Sequence, residues 1–181
     1  MTGTRWLVME PHAGDPAAPF RTRLAGAGRC LPPPHLSTTD LMSSTRHHTH
    51  IDLERLTGIH ERCVSVGDED SYSLATAAAL DCLAKADQPG SAVDVVISCS
   101  ITKFHDGLTQ WLEPTMRRSV ANAIGAQKAM TFDLSNACAG MLTGVTVANN
   151  WIRQGSIERA LVVSGEYISQ LGHNAARHIR N

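Results

Sequence analysis

A strand, a short polar turn and a long helix follow one another between residues 130 and 154, and this succession constrains the fold most. Apolar residues alternate over Met130–Leu134, which predicts a strand. Ala139–Gln154 is apolar at helical spacing and is followed by Gly155, which predicts a helix. Arg159–Ser164 then predicts another buried strand. Strands that alternate with helices are typical of an α/β fold with a mainly parallel sheet.

The upstream sequence continues this alternation. Ser71–Ala86 predicts a helix, Val93–Ser98 a buried strand and 116–124 a second helix. We therefore expect a mixed, mainly parallel sheet with helices on both faces, formed by one domain over residues 21–181. Residues 1–20 contain three prolines and two glycines, and we expect them to form an irregular leader.

Composition excludes several classes of protein. The 181 residues carry a net charge of −1 without a block of like charge, so nothing indicates nucleic-acid binding. No apolar run approaches the roughly 18 residues that span a bilayer. The first residues lack a basic segment followed by a hydrophobic stretch, so we expect no signal peptide. Five cysteines, an odd number without a Cys-x-x-Cys pair, predict a cytoplasmic protein without a disulfide framework or a zinc site.

Cys138 is the candidate nucleophile, because it falls in the predicted turn between the strand and the helix. Unpaired N–H groups and the dipole at a helix N-terminus stabilise a thiolate and a developing oxyanion. Such a thiol is suited to acyl transfer. The alternative is that Cys138 is a packing residue, as most cysteines are. Cys82 and Cys99 lie within a predicted helix and strand, and we expect both in the core.

The segment Asp133–Met141, with the sequence DLSNACAGM, resembles the active-site motif of the ketoacyl-ACP synthase III group of the thiolase superfamily. In that group the cysteine of the motif is acylated. Three further segments resemble the family in the same order along the chain, namely 26–32, 56–62 (LTGIHER) and 155–166. Together these motifs extend over nearly the whole sequence.

The resemblance implies the N-terminal half of a thiolase-like fold, incomplete as a single chain. In the family a second half supplies a histidine and an asparagine that complete the site with the cysteine. It therefore implies a separate C-terminal half as a partner, or a truncated enzyme, and a dimer formed through the N-terminal half. The implied substrates are acyl-CoA or acyl-ACP thioesters, without a bound cofactor or a metal.

A second candidate comes from Leu112-Glu113-Pro114, which resembles the Glu-Pro element of the olefin-pathway condensing enzyme. There a glutamate from the neighbouring subunit is the base of a non-decarboxylative Claisen condensation, which implies this role for Glu113. From the residues alone, the alternative is that Glu113 begins a helix with Pro114 in its first position.

Arg62 is a candidate phosphate contact for the acyl carrier by the same resemblance. The alternative is an ordinary solvated arginine. The tryptophan that stacks on coenzyme A in well-known members is missing from the matching stretch, Asp52–Leu56. This difference favours an acyl carrier protein or another thioester carrier over coenzyme A as the donor.

The first functional hypothesis is the acyl-accepting part of a condensing enzyme in fatty acid or polyketide biosynthesis, with an acyl-Cys138 intermediate. A non-catalytic structural subunit or fragment is the main alternative. A cysteine-dependent acyltransferase to an amine or alcohol would use the same thiol.

Overall fold

The structure is a computed structural model that describes residues 4–5, 7–12, 21–47 and 50–178, with side chains from residue 22 onward. The strands among the described residues are β1 Thr4–Arg5, β2 Leu7–His12, β3 Arg21–Gly26, β4 Arg29–Cys30, β5 His35–Ser37, β6 Glu61–Cys63, β7 Val95–Ser98, β8 Phe104–His105, β9 Thr109–Gln110, β10 Met130–Asp133 and β11 Ala160–Val163. The helices are α1 Thr38–Ser43, α2 Leu53–Thr57, α3 Ser71–Ala86, α4 Met116–Ala123, α5 Gly140–Arg153 and α6 Ser169–Ala176.

Five strands form the central sheet, in the order β10-β7-β11-β2-β3. The first three are parallel to one another, and β2 is antiparallel to both of its neighbours. The remaining described strands form two-stranded pairs, β1 with β4, β5 with β6 and β8 with β9. The expected mixed α/β sheet is confirmed. Its parallel strands include β10, which leads into the turn that contains Cys138.

Helices cover both faces of this sheet, as expected. Strand alternation points successive side chains of β7 to opposite faces. Val95 and Ile97 pack with Ala148 and Ile152 of α5. Val96 faces the other way, into a cluster formed mainly by α3 and α4. All four residues of β7 and of β11 are buried, which explains their continuous apolar sequences.

The helix α3 spans the predicted residues Ser71–Ala86. Its start is fixed by a capping box, in which the Asp70 carboxylate accepts from the Ser73 amide and the Ser73 hydroxyl oxygen accepts from the Asp70 amide. The helix ends where Asp87 adopts a left-handed conformation. The other predicted strands and helices of this part of the chain agree with the structure to within two residues at each end.

The expectation of an irregular leader is wrong for part of residues 1–20, because β1 and β2 lie within it. Residues 1–3, 6 and 13–20 lie outside the described residues. The prolines and glycines of the segment favour an irregular structure locally. Pairing of β2 with β11 on one side and β3 on the other satisfies its backbone and outweighs that local preference.

None of the helices among residues 4–178 that the structure describes is long and apolar enough to cross a membrane.

Replacement of Gly28 by alanine should destabilise the fold, because Gly28 lies directly against the backbone of α3. A Cβ at Gly28 would overlap the Ala78 carbonyl oxygen and would lie 2.7 Å from the Cys82 Cα. We expect Gly28→Ala to lower the free energy of unfolding by about 1–3 kcal/mol or more, measured by urea unfolding followed by circular dichroism.

The matched control is Gly172→Ala in α6, where a new Cβ meets nothing within 4 Å. It should leave stability unchanged or raise it by up to about 1 kcal/mol, since alanine is the better helix former. An unfolding midpoint of Gly28→Ala equal to that of the unmodified protein would contradict the packing argument.

Candidate active site

Cys138 lies at the edge of the sheet where the carboxyl ends of β10, β7 and β11 meet. It is the middle residue of a short 3-10 turn, Ala137–Ala139, that leads from β10 into α5. Ala137 has φ +42°, a left-handed conformation that alanine rarely adopts. The Cys138 side chain is exposed to solvent. The predicted position of the thiol, between a strand and the start of a helix, is therefore found in the structure.

Two glycines allow α5 to lie directly on the ends of the neighbouring strands. A Cβ on Gly140 would lie 3.1 Å from the carbonyl oxygen of Cys99. A Cβ on Gly144 would lie 2.6 Å from Val162 Cγ1 and 2.9 Å from Cys99 Sγ. A larger side chain at Gly144 would force the helix away from β11. The backbone of α5 next to Cys138 is thus fixed by close contact.

The amide groups of the turn differ in their partners. The Ala139 amide donates to the Asn136 carbonyl at 3.0 Å, and the Gly140 amide donates to the Ala137 carbonyl. The Cys138 amide has no hydrogen-bond partner within the part of the chain that the structure describes. It therefore remains available as a donor beside the thiol.

A side-chain bridge closes the turn on its outer side. Asn136 Nδ2 donates to Thr143 Oγ1 at 2.8 Å, and the Thr143 hydroxyl lies 3.1 Å from the Ala139 carbonyl oxygen, to which it donates. The bridge joins the residues on both sides of Cys138 to the first turn of α5. Sequence reasoning did not single out these residues, although Asn136 lies within the recognised motif.

Cys99 lies beneath the same turn but is chemically different from Cys138. It is 4% exposed, and burial, with a smaller effect of the Asp133 carboxylate, raises the pKa of its thiol to about 11. Cys82 is fully buried in α3. The prediction that both are core residues is confirmed.

Asp133, the last residue of β10, is the charged residue closest in sequence before the turn. Its carboxylate lies 3.2 Å from the Lys103 ammonium and also accepts a hydrogen bond from the Arg117 guanidinium. Two cations thus neutralise it, and they tie β10 to the loop after β7 and to α4.

The loops that follow β7 and β11 are held together by Glu166. Its carboxylate accepts from the amides of Ile101 at 2.7 Å and Thr102 at 2.9 Å. It also accepts from the hydroxyls of Thr102 and Ser164. These bonds fix the sheet edge next to the Cys138 turn, and the sequence offered no local signal for them.

Glu113 is exposed and precedes α4, separated from it by Pro114 and Thr115. The peptide bond between Glu113 and Pro114 is cis. Since α4 begins at Met116 with Thr115 as its N-cap, the interpretation of Glu113 as a first-turn residue of the helix is wrong. Among the described residues its carboxylate has neither a hydrogen bond nor an ion pair.

An aromatic cluster holds the segment that contains Glu113 against the start of α3. His105 stacks on Tyr72 with ring centroids 4.6 Å apart, and Trp111 meets His105 edge-on at 4.5 Å. Asp70 Oδ2 lies 2.5 Å from His105 Nδ1, and the Tyr72 hydroxyl donates to the Pro114 carbonyl at 3.1 Å. The sequence predicts none of these contacts, and all except the His105–Trp111 pair join residues more than thirty positions apart.

The Tyr72 hydroxyl has several carboxylates nearby. Burial raises its pKa most, and the charges of Asp133, Asp70 and Glu113 raise it further. Tyr72 therefore remains a neutral hydrogen-bond donor. Glu113 thus belongs to the same electrostatic environment as Asp133 at the end of β10.

Arg62 lies in β6 and is half-buried. Its guanidinium donates to Thr38 Oγ1 at 2.6 Å and weakly to the Ser37 carbonyl at 3.5 Å. Thr38 also lines an open cleft of about 730 Å³ between α1 and α2, together with Met42, Asp52, Glu54 and His60. The three predicted residues lie on separate elements. No hydrogen bond or ion pair between described residues joins Arg62 or Glu113 to Cys138.

No group of three or more histidine, cysteine or acidic side chains among the described residues is arranged to hold a metal ion.

Asp70 should make stability depend on pH. Burial by itself raises the pKa of this carboxyl group, but hydrogen bonds from the Ser73 amide, His105 and the Asp106 amide lower it below its usual value. The stabilisation is therefore present above the ordinary carboxyl pKa of about 4 and is lost as pH falls through the lower, folded-state value. We expect Asp70→Asn to cost about 1–3 kcal/mol at pH 7, with a cost that shrinks towards pH 3.

Urea unfolding at several pH values measures this difference. The control is Asp87→Asn at the opposite end of α3, where the side chain is exposed and asparagine tolerates the left-handed conformation. The cost of Asp87→Asn in unfolding free energy should not change with pH. A cost of Asp70→Asn that stays constant from pH 7 to pH 3 would exclude the proposed role of its charge.

Comparisons of the sequence and of the fold with known proteins both identify the same group of relatives. Residues 132–179 match the family of 3-oxoacyl-[acyl-carrier-protein] synthase III. The chain is 32% identical over 153 residues to beta-ketoacyl-[acyl-carrier-protein] synthase III 1 of Lactiplantibacillus plantarum, covering 84% of this chain and 45% of that protein. It is 30% identical to the corresponding synthase of Paramagnetospirillum magneticum over a similar share. The chain thus spans a little under half the length of the curated relatives it matches.

Two solved structures are similar in fold. The 3-oxoacyl-[acyl-carrier-protein] synthase III of Aquifex aeolicus superposes with a TM-score of 0.70 at 26% identity, over 81% of this chain and 45% of that one. OleA of Xanthomonas campestris, in a crystal with cerulenin, gives a TM-score of 0.73 over 95% of this chain and 48% of that one. Its identity of 23% shows a common fold only. The chain is therefore a ketoacyl-ACP synthase III-like member of the thiolase superfamily and corresponds to the N-terminal part of these proteins.

Proposed function

We propose that this chain is the acyl-accepting part of a condensing enzyme, in which Cys138 takes an acyl group from a thioester. The observation that carries the proposal is the exposed Cys138 thiol in a sharp turn at the start of α5, beside an amide that has no partner among the described residues. The similarity to ketoacyl-ACP synthases III supports the choice of reaction.

In the proposed step the Cys138 sulfur attacks the carbonyl carbon of the thioester. The carbonyl oxygen becomes an oxyanion, and the amide of Cys138 donates to it. One such donor is worth about 3–4 kcal/mol in related acyl transfers. The carbon–sulfur bond of the carrier then breaks, and its thiol leaves as acyl-Cys138 forms. The dipole of α5 favours the negative charge of the oxyanion.

Glu113 is the proposed base for the condensation step. Its carboxylate is exposed and unbonded among the described residues, and it follows Trp111 and Leu112, of which Leu112 is 88% exposed. We propose that it acts on a neighbouring copy, where it removes the proton α to a thioester carbonyl. The resulting enolate attacks acyl-Cys138. The aromatic cluster of Tyr72, His105 and Trp111 holds the segment in place for this role.

The proposed enzyme needs groups beyond these residues. The chain spans 45% of its first relative, and we propose that a histidine and an asparagine from a C-terminal part complete the site, in the same polypeptide or in a partner chain. We propose an acyl carrier protein or coenzyme A as the donor of the acyl group. Arg62 donates two of its five N–H groups to Thr38 and Ser37, and the others remain for a carrier phosphate.

A non-catalytic structural role is the second candidate. It is favoured by the separation of Arg62, Glu113 and Cys138 on different elements, and by the exposed apolar side chains of Leu112 and Leu142. Such a protein would not need a reactive Cys138.

Acylation of Cys138 distinguishes the two candidates. The chain is incubated with octanoyl-CoA or octanoyl-ACP, and its cysteine peptides are examined by mass spectrometry. We expect one octanoyl group on the peptide that contains Cys138, none after Cys138→Ala, and normal labelling in the control Cys30→Ala. Iodoacetamide should likewise alkylate the exposed Cys138 before the buried Cys82 and Cys99. Acylation that persists in Cys138→Ala, or its absence from the unmodified protein, would reject Cys138 as the nucleophile.

Replacement of Glu113 tests the condensation step. In the enzyme completed by its C-terminal part, Glu113→Gln should leave acylation of Cys138 intact and lower the rate of β-keto product formation by about 10²–10⁴-fold, as expected for loss of a general base. Product is measured by mass spectrometry. The control Glu158→Gln removes an exposed carboxylate and should have no effect. Unchanged product formation in Glu113→Gln would assign the proton abstraction to another group.

A further inference from the structure

The antiparallel pair of strands β5 and β6 places a cysteine, a histidine and a glutamate on one of its faces. Strand alternation puts Glu61 and Cys63 on the same side of β6, while Arg62 points to the other side and donates to Thr38. The antiparallel register sets His35 directly opposite Cys63. The three side chains are therefore neighbours because of the strand geometry itself.

The imidazole of His35 lies between the other two groups. His35 Nδ1 is 3.0 Å from Glu61 Oε1, and His35 Nε2 is 3.8 Å from Cys63 Sγ. The carboxylate favours the tautomer with the proton on Nδ1, which leaves the lone pair of Nε2 directed towards the thiol. This order of carboxylate, imidazole and thiol is that of a base-activated nucleophile.

Solvent reaches this arrangement. The side chains of His35 and Glu61 are 49% and 61% exposed, and Cys63 is half-buried. A small molecule can therefore approach the sulfur, whereas Cys82 and Cys99 are enclosed in the core. Cys30 is also half-buried, but burial first, and then the charges of Glu69 and Asp81, raise the pKa of its thiol. Cys63 thus has a base beside its thiol. The charged groups that act on Cys30 are carboxylates, which disfavour its thiolate.

We propose that Cys63 is a second reactive thiol of this chain and a site of modification by small disulfides, with His35 as its base and Glu61 as the positioning residue for His35. Cys63 Sγ attacks one sulfur of the disulfide while its proton passes to His35 Nε2. The sulfur–sulfur bond of the reagent breaks, and a Cys63 mixed disulfide forms. The departing thiolate takes the proton back from His35, so Cys63 is oxidised and the released thiol is the reduced product. The site does not depend on the role of Cys138.

The test uses the whole reduced chain and bis(2-hydroxyethyl) disulfide, an uncharged reagent that surface charge does not attract. The rates of adduct formation at Cys63, Cys30 and Cys138 are measured in the same sample by peptide mapping at pH 7. Cys63 should react faster than Cys30. We expect His35→Gln to slow Cys63 by about tenfold, at the low end for loss of a general base, with Cys30 and Cys138 unchanged. Glu61→Gln should slow Cys63 by a smaller factor.

The matched control is His60→Gln. His60 is exposed and also pairs through Nδ1 with a glutamate, Glu54, at 2.6 Å, but Cys63 lies beside His35 instead. This variant should leave the rate at Cys63 unchanged. A rate at Cys63 that His35→Gln leaves within a factor of about two, too small for lost base catalysis, would overturn the proposal. An equal loss in His60→Gln, or a rate at Cys63 below that at Cys30, would overturn it as well.

Discussion

The close contact between the first turns of α5 and the ends of the parallel strands is the constraint on which the site depends. Gly140 and Gly144 bring the helix backbone close to Cys99 and Val162, so that a Cβ would be crowded at Gly140 and would overlap its neighbours at Gly144. This contact sets where α5 begins, and hence where the turn with Cys138 lies and which amides remain unbonded. A helix held at the usual distance from the sheet would leave the thiol without a fixed relation to those amides.

Local sequence patterns predicted those parts of the structure whose causes are local. The ends of α3 follow from a capping box and a left-handed terminal residue, and the burial of Cys82 and Cys99 follows from apolar periodicity. Cys138 was predictable because strand, turn and helix are contiguous. The position of β2 and the pairing of Asp70 with His105 were not, since each depends on residues far away in the sequence. For Glu113 the local helix-start signal was misleading, because α4 begins only at Met116.

The cysteines show how one side chain acquires different properties from its surroundings. Cys99 is enclosed by apolar groups near the Asp133 carboxylate, which disfavours its thiolate. Cys138 is exposed in the turn before a helix, beside an amide that has no partner among the described residues. Cys63 has an imidazole beside it, supplied by the opposite strand. The number of cysteines in a sequence therefore says little about their reactivity. The strand, turn or helix that carries each cysteine, and the groups beside it, determine how its thiol reacts.

The left-handed conformation of Ala137 also limits how this region varies among related sequences. A β-branched residue at that position would clash with its own backbone, whereas glycine, asparagine or aspartate would fit. Natural variation next to the thiol is thus expected to be narrow for a reason unrelated to contact with substrate. An invariant small residue at this position in a family alignment would reflect the shape of the main chain, and it would not by itself mark a group that takes part in the chemistry.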